Sequence, residues 1–366
     1  MNNEQAIPFS VLMTADTVGG VWTYCMELCA SLSQVTFHLV TAGAPLQPDQ
    51  VKTAASLSNV VLYDTSYKLE WMDDPWQDID ASGEWLLQLE QELQPNLVHL
   101  NSFAYAGLPF NAPKLVVAHS DVFSWWQSVK GTLPGHEWSE YFSRVKLGLE
   151  SADLVVSPTR ASLALMQQLF GFENETRVVH NGRHTVMFHN GIKQPQVMAM
   201  GRMWDEAKNL HLVLEAAPHM QCGVKIAGDL HFENNTTDLG GQTVQYLGRL
   251  SPAAVAAELA TTSVYVLPAR YEPFGLSALE AALSGCALVL SSLPTLHELW
   301  GDAALYVDPD DAISLACAVN ELVSHPVLLD AMAAKARERA LQFSAYQMGQ
   351  EYLSLYRTLT KQVIPN

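Results

Sequence analysis

The chain is short of positive charge. Its 366 residues include 20 lysines and arginines against 38 aspartates and glutamates, so the formal net charge is −18. A surface of this sign repels nucleic acid and anionic lipid over long range. We therefore expect no nucleic-acid partner. An anion-binding site would have to use few cations, which makes each well-placed lysine or arginine informative.

Long apolar runs and cysteine pairs are also missing. No apolar run reaches the roughly 18–20 residues of a membrane-spanning helix. Residues 1–8 lack the basic start of a secretory signal. The cysteines form no C-x-x-C pair, which favours buried, reduced thiols. These absences predict a cytoplasmic protein without stable membrane insertion. The five cysteines are Cys25, Cys29, Cys222, Cys286 and Cys317.

Short apolar runs alternate with helical patterns along the chain, which is typical of parallel α/β architecture. The alternation breaks once, at residues 182–195, where two glycines, two histidines and a proline form a polar linker. The sequence therefore predicts two doubly wound Rossmann-like domains, residues 1–183 and 184–344. Strands are predicted at residues 9–14, 37–41, 97–100, 115–118, 154–157, 197–201, 223–228, 244–247, 264–268, 287–291 and 304–307.

The segment of residues 271–285, Y-E-P-F-G-L-S-A-L-E-A-A-L-S-G, follows a predicted strand and opens a helix. The first N–H groups of a helix hold phosphate well, and Gly275 lets the backbone approach a ligand closely. Glu280 stands among apolar residues and needs a partner, which the hydroxyls of a ribose supply. Glu272, at the turn, is placed to accept hydrogen bonds from a sugar. The alternative is an ordinary helix with solvent-facing glutamates.

A second motif, G-R-M-W-D-E-A-K-N-L at residues 201–210, also follows a predicted strand and opens a helix. Its Arg202 and Lys208 are two cations in an acidic chain, and beside a helix N-terminus they suit an anionic ligand such as a phosphate. The alternative is a pair of surface cations.

Two features of the first half follow predicted strands as well. The segment D-T-V-G-G-V at residues 16–21 places Gly19 and Gly20 at the start of a helix, where phosphate or sugar can bind. It lacks G-x-G-x-x-G, which weakens a nicotinamide-binding interpretation. His119, followed by Asp121, ends a strand at the edge where α/β sheets bind ligands. A purely structural histidine is the alternative.

In this order and spacing, from about Phe9 to Asp310, the motifs resemble those of the family-4 (group 1) retaining glycosyltransferases of the GT-B fold. The resemblance implies two Rossmann-like domains that face each other across a cleft. It also implies an acceptor-side first domain closed by the C-terminal helix, residues 345–366, and a second domain that binds a nucleotide sugar. After Asn181-Gly182 the family usually has an aspartate, whereas this chain has Arg183.

The resemblance also implies roles for individual residues. Glu272 contacts the donor sugar, Glu280 the ribose, and Arg249 belongs to the loop that frames the base. The implied catalytic residues are His119, Asp121, Glu272, Arg202 and Lys208. The implied donor-binding residues are Gly19, Gly20, Arg202, Lys208, Arg249, Glu272, Pro273, Phe274, Gly275, Leu276 and Glu280.

Metal and cofactor are not expected. The aspartates of residues 308–311, D-P-D-D, precede a helix and are interpreted as a helix cap. The resemblance implies retention at the anomeric carbon. We favour front-face displacement. The alternative, a double displacement, needs a carboxylate nucleophile, for which Asp121 and Glu272 are the candidates by position.

The expected function is hexose transfer from a nucleotide sugar, by default UDP-glucose, to a sugar or small polar acceptor. Guanosine and adenosine donors remain open. The alternatives are an epimerase or phosphorylase on the same fold, and a catalytically degenerate nucleotide-sugar-binding protein.

Overall fold

Two parallel sheets organise the chain in the computed structural model, which describes residues 9–229, 231–232, 235–236, 244–361 and 364. Unit 1 contains the described residues of Met1–Ser124, Leu133–Gly182 and Ala345–Asn366. Unit 2 contains those of Trp125–Thr132 and Arg183–Ser344. The prediction of two doubly wound α/β domains is confirmed. The segment Trp125–Thr132 groups with unit 2, whereas the predicted boundaries placed it in the first domain. The expectation about a signal at residues 1–8 lies outside the described residues.

Unit 1 is built on a seven-stranded sheet in the order β3-β2-β1-β4-β5-β6-β7, all strands parallel. Along β1, Val11 and Met13 pack into the core on one face, and Leu12 packs into the core on the other. A strand buried on both faces reads as an unbroken apolar run, which is why the sequence revealed it. The strands are β1 Ser10–Asp16, β2 Thr36–Ala42, β3 Val60–Tyr63, β4 Leu97–Leu100, β5 Lys114–Val117, β6 Leu154–Ser157 and β7 Thr176–Val178.

Helices cover both faces of this sheet. Helix α3 is longer than the predicted span of residues 85–93, because its first turns carry polar residues that hide the apolar period. The helices in this part of the chain are α1 Gly20–Ser31, α2 Pro48–Ala55, α3 Trp76–Leu93, α4 Val122–Lys130, α5 Ser139–Ser151 and α6 Arg160–Phe170.

Unit 2 is built on a six-stranded parallel sheet in the order β12-β9-β8-β13-β14-β15. Its interior strands β13 and β14 are buried along their whole length. Two short strands pair antiparallel outside it. The strands are β8 Gln194–Met200, β9 Gly223–Ala227, β10 His231–Phe232, β11 Asn235–Thr236, β12 Val244–Gly248, β13 Thr262–Leu267, β14 Ala287–Ser291 and β15 Leu305–Val307.

The helices of unit 2 connect these strands, and the last helix of the chain returns to unit 1. There Tyr356 contacts His99 of β4, with 2.7 Å between the hydroxyl oxygen and Nδ1. The helices are α7 Leu210–Ala216, α8 Pro252–Thr261, α9 Leu276–Leu283, α10 Pro294–Trp300, α11 Ala312–Ser324, α12 Pro326–Ala340 and α13 Ala345–Thr360.

No single helix in the described ranges has the length and apolarity of a membrane span; α11 and α12 meet that test only as a pair bent by 105°. Three of the five cysteines, Cys25, Cys29 and Cys286, are buried as expected, whereas Cys317 is exposed and Cys222 half-buried. All five are free thiols.

Candidate active site

The turn before α9 is fixed by its own side chains. Phe274 is buried in the core of unit 2, where its ring meets Phe343 edge-on. Gly275 follows with φ +87°, a left-handed conformation that side chains rarely adopt, and it forms the N-cap of α9. The backbone N–H of Gly275 donates to Glu272 Oε1 at 2.9 Å. The turn therefore directs the first N–H groups of the helix and the Glu272 carboxylate to one place.

Lys208 completes this arrangement. Its Nζ lies 2.7 Å from Glu272 Oε2, and the side chains of both residues are largely buried. Thr295 also donates its hydroxyl to the backbone carbonyl of Glu272, at 2.7 Å. In the sequence, Lys208 and Glu272 belong to two separate motifs, and they were predicted to contact phosphate and sugar respectively. The structure brings them into direct contact, so that the cation, the carboxylate and the helix N-terminus form one group.

Arg202 is likewise paired with a carboxylate. Its Nη2 lies 2.7 Å from Asp205 Oδ2, and the guanidinium stacks over the Trp204 ring. Asp205 Oδ1 accepts hydrogen bonds from the Ala207 backbone N–H and from the Trp125 indole. Burial opposes ionisation of Asp205, but the charges of Arg202 and Lys208 outweigh it and lower its pKa. Asp205 is thus an ionised anchor for Arg202, a role that the sequence analysis missed although it lies three residues further along the same motif.

Glu280 has a partner within the protein. Arg183 Nη2 lies 3.0 Å from Glu280 Oε1, with side-chain exposures of 9% and 15%. Burial raises the pKa of the Tyr265 hydroxyl, and the negative charges of Glu280 and Glu272 raise it further. In the sequence, Arg183 stood out only because the family usually has an aspartate at this position, and no function was predicted for it.

The other predicted donor-site residues of unit 2 surround these pairs or follow the neighbouring strand. Pro273 and Leu276 are half-buried on either side of the Phe274–Gly275 turn. Arg249 is exposed directly after β12. Its role at the base stays a prediction.

His119 of unit 1 follows β5, and its protonation is set by its surroundings. Asn101 donates its amide N–H to the Thr14 carbonyl at 2.7 Å, so its Oδ1 accepts from His119 Nε2 at 2.8 Å. Burial lowers the pKa of His119 to about 3. The imidazole is therefore neutral, with the proton on Nε2 and a lone pair on Nδ1. It is suited to accept a hydrogen bond from a hydroxyl and unsuited to act as a cationic acid. Asn101 is a second residue that the sequence analysis missed, although it comes directly after β4.

Asp121 is held by the start of α4. Its Oδ1 accepts from the Ser124 backbone N–H at 2.8 Å, which is a helix-capping contact. Burial raises its pKa to about 6 against this hydrogen bond. The residue is 5% exposed. A catalytic role for Asp121 stays a prediction.

Gly19 and Gly20 stand exposed at the N-terminus of α1. Gly19 has φ +98°, which explains why a glycine is needed between β1 and the helix. The preceding loop is tightened by Asp16, whose Oδ1 accepts from the Val18 backbone N–H at 2.6 Å.

The aspartates of residues 308–311 behave as helix-capping and loop residues. Asp311 is the N-cap of α11 and accepts from the Ser314 backbone N–H at 2.8 Å, and Asp310 pairs with Arg270. Within the described ranges, no group of three or more histidine, cysteine, aspartate or glutamate side chains is placed to hold a metal ion.

Two doubly wound parallel units, with cations and a helix N-terminus beyond the strand ends of the second, define a protein of the GT-B class. The chain belongs to the group 1 glycosyltransferases: residues 194–325 match the family model "Glycosyl transferases group 1", and residues 18–186 match "Glycosyltransferase Family 4".

Similarity to individual proteins agrees with this membership. The chain is 29% identical over 182 residues to a glycogen synthase of Mycobacterium tuberculosis, which covers 45% of this chain and 44% of that protein. The match therefore spans less than half of the relative. Among solved structures, sucrose-phosphate synthase of Thermosynechococcus elongatus is similar with a TM-score of 0.79 at 18% identity, covering 96% of this chain and 99% of the other. HepE of Anabaena, in complex with UDP-glucose, has a TM-score of 0.77 at 16% identity and covers 95% and 99% of the two chains.

Proposed function

We propose that this chain transfers a hexosyl group from a nucleoside-diphosphate sugar to a hydroxyl of a carbohydrate or small polar acceptor. The observation that carries the proposal is the group formed by Lys208, Glu272 and the Gly275 N–H at the start of α9. It combines a cation and a helix N-terminus for a diphosphate with a carboxylate for sugar hydroxyls. Stabilising charge at a departing diphosphate is what glycosyl transfer requires of the protein.

UDP-glucose is the default donor. The support is that HepE, a structural neighbour, was solved with UDP-glucose. A guanosine or adenosine diphosphate sugar would use the same diphosphate-binding residues, so a test of the donor has to include all three bases.

We further propose retention of configuration by front-face displacement, without a metal ion or cofactor. Both oxygens of Glu272 are engaged, one by Lys208 and one by the Gly275 N–H. Glu272 therefore does not resemble a free nucleophile, which supports transfer of the acceptor proton to the leaving phosphate. Asp121 Oδ1 caps α4, whereas its Oδ2 has no hydrogen-bond partner among the described residues, so Asp121 stays the candidate nucleophile of a double displacement. In place of a metal, Arg202 and Lys208 would neutralise that phosphate.

The test is a panel of UDP-glucose, UDP-galactose, GDP-mannose and ADP-glucose in EDTA, with release of nucleoside diphosphate as the readout. Candidate acceptors are then added with the best donor. We expect release from one donor, transfer to a second molecule, and a product with the donor's anomeric configuration by NMR. Isomerised nucleotide sugar without transfer would identify an epimerase, and phosphate-dependent release a phosphorylase.

Binding of a nucleoside diphosphate without turnover of any sugar would favour a degenerate binding protein. Loss of turnover in EDTA, restored by a divalent cation, would overturn the metal-free mechanism. A covalent glycosyl-enzyme on Asp121 or Glu272, detected by mass spectrometry, would overturn front-face displacement.

A further inference from the structure

We propose that Arg183 is a positioning residue for donor binding, acting through Glu280. This inference rests on the proposed function, in which Glu280 accepts hydrogen bonds from the ribose of the donor. It assigns to Arg183 the task of holding the Glu280 carboxylate ionised and oriented for those hydroxyls.

The backbone of Arg183 is fixed at the start of unit 2. Its N–H donates to the Phe343 carbonyl at 3.1 Å, and it forms a parallel bridge with Ser344. Arg183 and Ser344, the first and last residues of the longer segment of unit 2, therefore run side by side. A side chain that starts from such a paired backbone has few positions open to it.

The guanidinium is fixed as well. It stacks over the Phe188 ring, 5.2 Å from the ring centre, and its Nη2 contacts Glu280 Oε1 at 3.0 Å. Phe188 is itself buried in the core of unit 2. Backbone pairing on one side and an aromatic ring on the other hold the cation against the carboxylate, so little side-chain entropy is lost on contact.

Arg183 supplies a positive charge that a ribose-binding Glu280 would use. A carboxylate that is only 15% exposed is costly without a compensating charge. A protonated carboxyl loses acceptor sites, whereas the ionised form accepts from two hydroxyls at once. Helix α9 carries Glu280 little more than one turn beyond the Gly275 N-cap, so the ion pair lies near the group that would bind the diphosphate.

The experiment first measures the binding of UDP, GDP and ADP by calorimetry. It then measures the binding of the 2′,3′-dideoxy analogue of the nucleotide that binds most tightly. The variants are Arg183→Met, Glu280→Ala and the double variant. We expect Arg183→Met to weaken binding of the ribonucleotide about tenfold, the loss that accompanies one weakened charge-assisted hydrogen bond. Binding of the dideoxy analogue should change less than about twofold, since it has no hydroxyls for Glu280 to accept from.

Two further readouts separate positioning from folding. The double variant should bind the ribonucleotide no more weakly than Glu280→Ala alone, because Arg183 acts through Glu280. In turnover, Arg183→Met should raise the KM for the donor and leave kcat nearly unchanged, as expected for an interaction made equally in ground and transition states. If Arg183→Met does not fold, Arg183→Lys is measured instead. It keeps the charge without the planar fork and should show a smaller, about threefold, loss confined to the ribonucleotide.

The matched control is Lys225→Met, which breaks a comparable ion pair of unit 2, in which Lys225 Nζ lies 2.8 Å from Glu258 Oε2. It should leave the ratio of the ribonucleotide affinity to the dideoxynucleotide affinity unchanged. Equal weakening of the ribonucleotide and its dideoxy analogue would overturn the inference, as would a double variant weaker than Glu280→Ala. If the unmodified protein binds none of the three nucleotides, the proposed function fails first. If it binds one of them and Arg183→Met leaves this affinity ratio unchanged, only the inference fails.

Discussion

Replacing Lys208 with alanine tests the central group of the site most directly. Lys208 Nζ lies 2.7 Å from Glu272 Oε2, and the Glu272 side chain is only 11% exposed. The substitution removes a cation and leaves a largely buried carboxylate beside the position proposed for the diphosphate. Loss of a hydrogen bond between charged groups costs about 1.5–3 kcal/mol. We therefore expect nucleoside diphosphate affinity to fall about 10- to 150-fold.

Glu272→Ala separates the two contributions. It removes the negative charge and frees Lys208 for phosphate, so nucleoside diphosphate affinity should increase while turnover falls sharply. The double variant should recover part of the affinity lost in Lys208→Ala, because the repulsion between carboxylate and diphosphate is gone. Calorimetry with UDP, GDP and ADP gives all four affinities of the cycle.

A suitable control is Lys225→Ala, which removes the lysine of another ion pair in unit 2. Unchanged nucleotide affinity in Lys208→Ala would refute the phosphate role of this lysine. An equal loss in Glu272→Ala would show that the pair acts only as a support for the turn before α9.

Two predictions concern stability. Asp205→Ala removes the partner of Arg202 and of the Trp125 indole, so the free energy of unfolding should fall by about 1.5–3 kcal/mol in urea titration; an unchanged midpoint would contradict the anchoring role. Burial raises the pKa of Glu70 from 4.5 to about 7, so the native state binds a proton that the unfolded chain has lost, and stability should fall as pH rises from about 4.5 to about 7. Glu70→Gln should remove most of that pH dependence; the same pH slope in variant and parent would show that Glu70 does not cause it.

The sequence predicts those parts of the fold in which burial leaves a pattern. Strands β1 and β13 are buried on both faces, so each is an apolar run of about the right length. Strands β3 and β7 lie at the edges of the first sheet and are short and partly exposed. Their sequences do not alternate clearly, and neither was predicted. Helix α4 was also missed.

Residue types at the site are predictable for a different reason, and their partners are not. A glycine before a helix and a cation after a strand are local features, so Gly275 and Lys208 can be found in short motifs. The contact between Lys208 and Glu272 joins residues 64 positions apart. The contact between Arg183 and Glu280 likewise joins two distant segments. Only the folded sheet brings such residues together, which is why Arg183 was noticed in the sequence but given no role.

The pairing of both proposed phosphate ligands with carboxylates bears on how such a site would favour reaction. Arg202 and Lys208 each have an anionic partner within the protein, so a bound diphosphate competes with Asp205 and Glu272 for them. That competition limits ground-state affinity. As the glycosidic bond breaks, negative charge grows on the leaving phosphate and the balance shifts toward it. Under the proposed function, the ion pairs thus favour the transition state over the bound donor, which is the condition for raising kcat. Glu272→Ala tests this step too, because the relief of competition should tighten binding of the diphosphate product while turnover falls.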